Sequence, residues 1–197
     1  ISEQNSTPLI IAAGIGDRAL PIVELLLAGR ADPSQAPKAG PYAGNDVLCI
    51  AASKGANAIL RHLLSFGAVP RVLPNGATLM HMAAIGGNDE TVARVIDYGV
   101  GVNVVDGRGA TPLHYAVSHG NKAAAVALLA HGADREIRNQ HNQTAMDLAR
   151  EDNKPIFKLF TRHGENSDPL ASEKLESAIV QEGGEPEQLA HIRGMSL

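Results

Sequence analysis

Apolar residues recur along the chain in two alternating phrases. One is short and rich in small side chains: LIIAAGI, VLCIAAS, LMHMAAIG, LHYAVS and, last, AMDLA. The other carries aliphatic residues at helical spacing: VELLL at 23–27, ILRHLL at 59–64, VARVI at 92–96 and AVALL at 125–129. That spacing puts the aliphatic side chains on one face of a helix. The short phrases predict about two helical turns each, opened by Thr or Asp. Gly16, Gly55, Gly87 and Gly120 stop the first four. The longer phrases predict a second helix ending near Gly67, Gly99 or Gly132. Turns follow, with Gly107 and Gly109 suited to positive φ. The pairs Ala12–Ala13, Ala51–Ala52 and Ala83–Ala84 let a neighbouring helix approach closely.

The phrases keep a fixed register. Thr78, Thr111 and Thr144 open TLMHMAAIGGN, TPLHYAVSHGN and TAMDLAREDNK at a constant spacing of 33 residues, and weaker copies begin at Thr7 and Asp46. A period of this size means stacked supersecondary units. A single helix pair cannot bury its apolar face, whereas a row of pairs shares one core. Pro112 suits the first helical position, where its missing N–H costs nothing.

These residues resemble the ankyrin-repeat family. Residues 106–134, DGRGATPLHYAVSHGNKAAAVALLAHGAD, follow its pattern closely, and the likeness runs from residue 1 to about 164. The resemblance implies an all-α solenoid of about five helix-turn-helix units with β-hairpin-like turns. The units fall roughly at 1–33, 45–72, 73–105, 106–138 and 139–164. It also implies that Thr78 with His81, and Thr111 with His114, bond to each other and to nearby backbone. In eukaryotic members the slot of Asn103 can be hydroxylated; the residues themselves suggest an Asn bonding backbone within its own turn.

Three departures stand out. The first unit has Arg30 where Gly is usual and an extra residue near Pro21. Between units one and two lies an insertion, 32–45, holding Pro33, Pro37, Gly40, Pro41, Tyr42 and Gly44. Insertions in repeat arrays map to loops on one face, often the binding face. The last unit has Asp147 in the His slot and a short second helix, IFKLF. Residues 165–197 read as an acidic helical extension, with a helix opened by Asp168–Pro169 and carrying Leu170, Leu175, Ala178 and Ile179. It is expected to cap the last repeat or to serve as an interaction tail.

Composition narrows the function. The net charge of −4 is too mild to argue for nucleic acid, and it falls entirely in residues 161–197, where Arg162, Lys174 and Arg193 face seven acidic groups. No apolar run reaches membrane-spanning length. The single cysteine, Cys49, fits a reducing, cytoplasmic setting, while export after removal of a signal peptide stays open. A monomer is the expected state. GIGDRA at 14–19 matches a loose dinucleotide pattern but sits at a helix end inside a repeat, not between strand and helix. The eight histidines show no paired ligand spacing. Cys49 occupies a His slot at the base of a turn and reads as a structural thiol. No catalytic, cofactor-binding or metal-binding residue is assigned.

Members of the resembling family grip partners with the turn tips and the concave face of the first helices. Carried over by position, this implies a partner-binding set of Ile15, Tyr42, Lys54, Leu73, Asn75, Ile85, Arg108, His119, His141 and Arg150, with Ile15, Tyr42, Leu73 and Ile85 exposed as apolar anchors. The function expected is a non-catalytic protein-binding module, an adaptor or inhibitor. The competing expectation is an enzyme, through an unrecognised site near Cys49 and His81 or a catalytic domain outside this chain.

Overall fold

The computed structural model describes residues 7–37 and 43–152, with side chains through Ala149. The expected IFKLF helix and the 165–197 extension lie outside these residues. Nine α-helices are described: α1 Pro8–Ile15, α2 Leu20–Ala28, α3 Val47–Ser53, α4 Asn57–Ser65, α5 Leu79–Gly86, α6 Asp89–Asp97, α7 Pro112–Ser118, α8 Lys122–Ala130 and α9 Ala145–Asp152. Among the described residues there is no strand. The odd-numbered helices stack in one row, α1 on α3 on α5 on α7 on α9. The even-numbered helices α2, α4, α6 and α8 form the second row, each packed on its partner from the first. The architecture is the all-α repeat solenoid.

The first-row helices are short because side chains open them and backbone turns close them. Thr7, Asp46 and Thr111 cap α1, α3 and α7, each accepting a backbone N–H one turn in. Their small residues are fully buried: Ala13, Ala51, Ala52, Ala83, Ala84 and Ala116 are all at 0% exposure, which brings neighbouring helices close. Gly86 shows how close. A Cβ there would overlap the Ala52 carbonyl oxygen of the preceding unit. In the second row Ile59, Leu60, Leu63, Val92, Val95 and Leu128 are fully buried.

Polar side chains stitch the units together. His81 accepts the Thr78 N–H at Nδ1 (3.1 Å), so its Nε2–H donates forward to the Ala110 carbonyl (2.9 Å). His114 repeats this with the Thr111 N–H (3.2 Å) and the Gln143 carbonyl (3.0 Å). Asn121 donates from Nδ2 to the carbonyls of Ala84 and Ile85 (2.9 and 2.7 Å). Asp17 accepts the N–H groups of Ala58 and Ile59 at the start of α4. Asn103 also works across units: it donates to the Gly132 carbonyl (3.1 Å) and accepts the Asp134 N–H (2.8 Å). The expected bond within its own turn is replaced by this link.

The departures from the period have physical outcomes. The extra length before α2 is taken up by a single 3-10 turn, Asp17–Ala19. Arg30 adopts φ +63°, the left-handed conformation that Gly67, Gly99 and Gly132 adopt in the same slot. At the last unit Asp147 reproduces the near half of the Thr–His link, accepting both the Thr144 N–H and its hydroxyl (3.0 and 2.9 Å).

Ile11 is 52% and Ile15 60% exposed, whereas Ile50, in the slot of Ile11, is 1% exposed. This side of each first-row helix faces the preceding unit, as the Tyr115 ring against His81 shows. Among the described residues no unit precedes α1.

Candidate functional site

The turns between units build the site. In the fourth unit the Asp106 carboxylate organises the turn: Oδ1 accepts the N–H groups of Arg108 and Ala110 (both 2.9 Å), and Oδ2 accepts the Tyr115 hydroxyl (2.8 Å). In the fifth, Asn139 Oδ1 accepts the N–H groups of His141 and Gln143 (2.9 and 3.1 Å). One backbone bond joins each tip to the next: Gly107 N–H to the Asn75 carbonyl (2.9 Å), and Gln140 N–H to the Arg108 carbonyl (2.8 Å). The tips therefore form a continuous, hydrogen-bonded row.

This geometry corrects two expectations. Leu73 is not an exposed anchor; it is only 8% exposed. It occupies the slot of Asp106 and Asn139, whose side chains turn inward beneath the tip. A Leu there cannot accept the turn's N–H groups, and Asn75 Oδ1 accepts the Ala77 N–H instead (3.1 Å). Ile85 is also not an open anchor. It is half-buried, with its carbonyl taken by Asn121.

Three of the expected residues converge. Arg108, His119 and His141 line one cavity of about 330 Å³, together with Ala110, Tyr115 and Leu148. All three are exposed. Among the described residues the Arg108 guanidinium has no ion-pair partner. His119 stacks on Tyr115 with ring centroids 6.3 Å apart, and Tyr115 meets His81 edge-on at 5.0 Å. Burial pushes the Asp106 carboxyl up, but the Tyr115 hydroxyl and two backbone N–H groups outweigh it and hold the carboxyl below its ordinary value. Burial and the Asp106 carboxylate push Tyr115 up to about 12.

The other expected residues lie elsewhere. Leu73 borders a second cavity of about 470 Å³ with Pro37, Gly44, Arg71, Val72 and Pro74, where the Gly44 N–H donates to the Pro37 carbonyl (2.8 Å) and closes the insertion. Asn75 is exposed at a tip, Lys54 is exposed at the end of α3, and Ile15 is exposed at the end of α1. Tyr42 lies outside the described residues, as does the side chain of Arg150 in α9. Sequence reasoning missed Tyr115 and Leu148 as lining residues. A Tyr following the TPLH phrase, in a chain with only three, was the available signal.

Cys49 is 1% exposed, and its N–H donates to Asp46 Oδ1 (2.9 Å). Burial and the Asp46 carboxylate raise its thiol well above the ordinary value, which opposes thiolate chemistry. Arg71 Nε pairs with Asp46 Oδ2 at 3.2 Å, so this unit reaches the next turn by an ion pair where others use histidine. Among the described residues no three His, Cys, Asp or Glu side chains are placed to hold a metal ion. Among them, too, no helix is long and apolar enough to cross a membrane.

Comparison with known proteins agrees with this architecture. A family model of three ankyrin-repeat copies matches residues 48–139 and 79–171, and a single ankyrin-repeat model matches residues 4–37. Protein phosphatase 1 regulatory subunit 27 of Homo sapiens is 37% identical over 87 residues, covering 44% of this chain and 56% of that protein. Protein phosphatase 1 regulatory subunit 12A of Rattus norvegicus is 33% identical over 121 residues, covering 58% of this chain and 11% of its own length. Palmitoyltransferase Hip14 of Drosophila melanogaster is 37% identical over 109 residues, 54% of this chain and 17% of that protein. The chain thus spans little more than half of the first relative and small parts of the other two.

Proposed function

As the chain belongs to the ankyrin-repeat family, we propose that it is a non-catalytic module, an adaptor or inhibitor, that holds a protein segment along its turn tips, concave face and 32–45 insertion. The observation that carries this reading is the cavity at the fourth and fifth tips. Three residues chosen from position alone meet there beside an aromatic ring, on a row of tips held rigid by backbone bonds. An exposed cation and two imidazoles around apolar surface suit a partner's side chains better than bond-breaking chemistry. Cys49, the most reactive residue type present, is sealed in the core as a thiol.

The names of two relatives make the catalytic subunit of protein phosphatase 1 the first partner to test. The experiment is titration calorimetry of that purified subunit into the intact chain, with phosphatase activity followed in parallel. Saturable binding weakened by Arg108→Glu supports the module and this surface, and a change in activity distinguishes inhibitor from adaptor. Binding indifferent to Arg108→Glu and to removal of residues 34–44 would refute the surface. A second reading, a segment of a larger enzyme, is favoured by the likeness to the palmitoyltransferase.

A further inference from the structure

The cavity lined by Arg108, His119 and His141 carries a more specific reading, which rests on the module proposed above. We propose that it receives a carboxylate side chain of the partner segment, held by Arg108 with His119 and His141 beside it.

The charge argument comes first. Among the described residues Asp106 is the one carboxylate lining the cavity, and both its oxygens are committed to Tyr115, Arg108 N–H and Ala110 N–H. Its negative charge is thereby spread into donors and 7% exposed. What the cavity offers an incoming group is a guanidinium and two imidazoles. Arg108 sits at a tip whose backbone is fixed on both sides, by Asp106 Oδ1 and by the Gln140 N–H. A side chain rooted in a fixed backbone binds a carboxylate with less loss of freedom than one on a mobile loop. Ala110, Leu148 and the Tyr115 ring leave room for an apolar neighbour of the acidic residue.

The two imidazoles border the guanidinium. The His119 Nδ1 lies 2.9 Å from the Tyr115 carbonyl, which can only accept, so Nδ1 carries a hydrogen and the ring stays stacked on Tyr115.

The test selects from a display library of random dodecapeptides on the intact chain. Affinities of the enriched peptides are then measured by fluorescence anisotropy. The expected peptides carry Asp or Glu beside an aliphatic or aromatic residue. Arg108→Glu should weaken them about tenfold, the effect of losing one charge-assisted hydrogen bond. Peptides with Asp or Glu replaced by Arg should bind Arg108→Glu better than the original chain. Peptides without acidic enrichment would overturn the proposal. Peptides displaced by Val72→Asp at the second cavity, and not by Arg108→Glu, would overturn it while leaving the binding module intact. A folded chain that selects no peptide would overturn both.

Discussion

His81 and His114 make the stack sensitive to mild acid. Each ring is buried, at 0% and 2% exposure, and each is held as a neutral tautomer with Nδ1 accepting a backbone N–H. Protonation would place a hydrogen on Nδ1 against that N–H and break the first half of every link. Burial lowers both rings from the ordinary value of 6.5, against the opposing pull of the Ala110 and Gln143 carbonyls and of Asp106. With folded values depressed, the unfolded chain binds more protons below pH 6.5 than the folded one. Stability is therefore full above that pH and falls as pH drops toward the folded values. One pH unit below 6.5 the loss cannot exceed about 1.4 kcal/mol per histidine, or roughly 3 kcal/mol for the two. That is a large share of a typical folding stability of about 5–15 kcal/mol. Urea titrations at pH 7.5 and 5.5 measure it, with His114→Gln as the comparison. The variant should be less stable at pH 7.5 but lose less on acidification, by up to about 1.4 kcal/mol. Equal losses in both chains would refute the assignment of the neutral, load-sharing tautomer.

Four further predictions follow from single positions. Arg30→Gly relieves a left-handed backbone in a slot where three other units have glycine and should raise the midpoint of urea unfolding, by up to about 1 kcal/mol. Thr91 has a buried hydroxyl without a hydrogen-bond partner. Thr91→Val should be neutral or stabilise by about 1 kcal/mol on the same titration, and a clear loss would show that the hydroxyl is satisfied. Gly86→Ala drives a methyl into the Ala52 carbonyl and should cost about 3 kcal/mol or more in thermal unfolding. Cys49 should react with a thiol reagent only at the rate of unfolding, since it is 1% exposed and its thiol is held protonated. Rapid labelling in native buffer would reopen the region of Cys49 and His81 as a reactive site.

Much of the fold was legible because the period is local. The Thr caps and the closing glycines act within one unit and recur at a fixed register, so the constant spacing of Thr78, Thr111 and Thr144 was enough to infer stacking. Arg108, His119 and His141 were also legible as candidates, since their slots follow from the register. Their convergence was not. It depends on the Gln140 N–H reaching the Arg108 carbonyl, and on Tyr115 being anchored by Asp106 so that His119 can stack on it. Leu73 was misread because the orientation of its slot belongs to the folded turn. Its slot lies beneath the tip, where Asp106 and Asn139 turn inward to the N–H groups of their own turns, and nothing in the apolar character of Leu73 says which way it points. Asn103 likewise bonds the backbone of the following unit, not its own turn. The sequence by itself determined what each unit is: its helices, caps and stopping points, because those depend on residues three or four apart. Only the tertiary structure decided what the units share, because contacts between residues about one period apart depend on how closely the Ala-lined and Gly-lined faces allow the helices to stack.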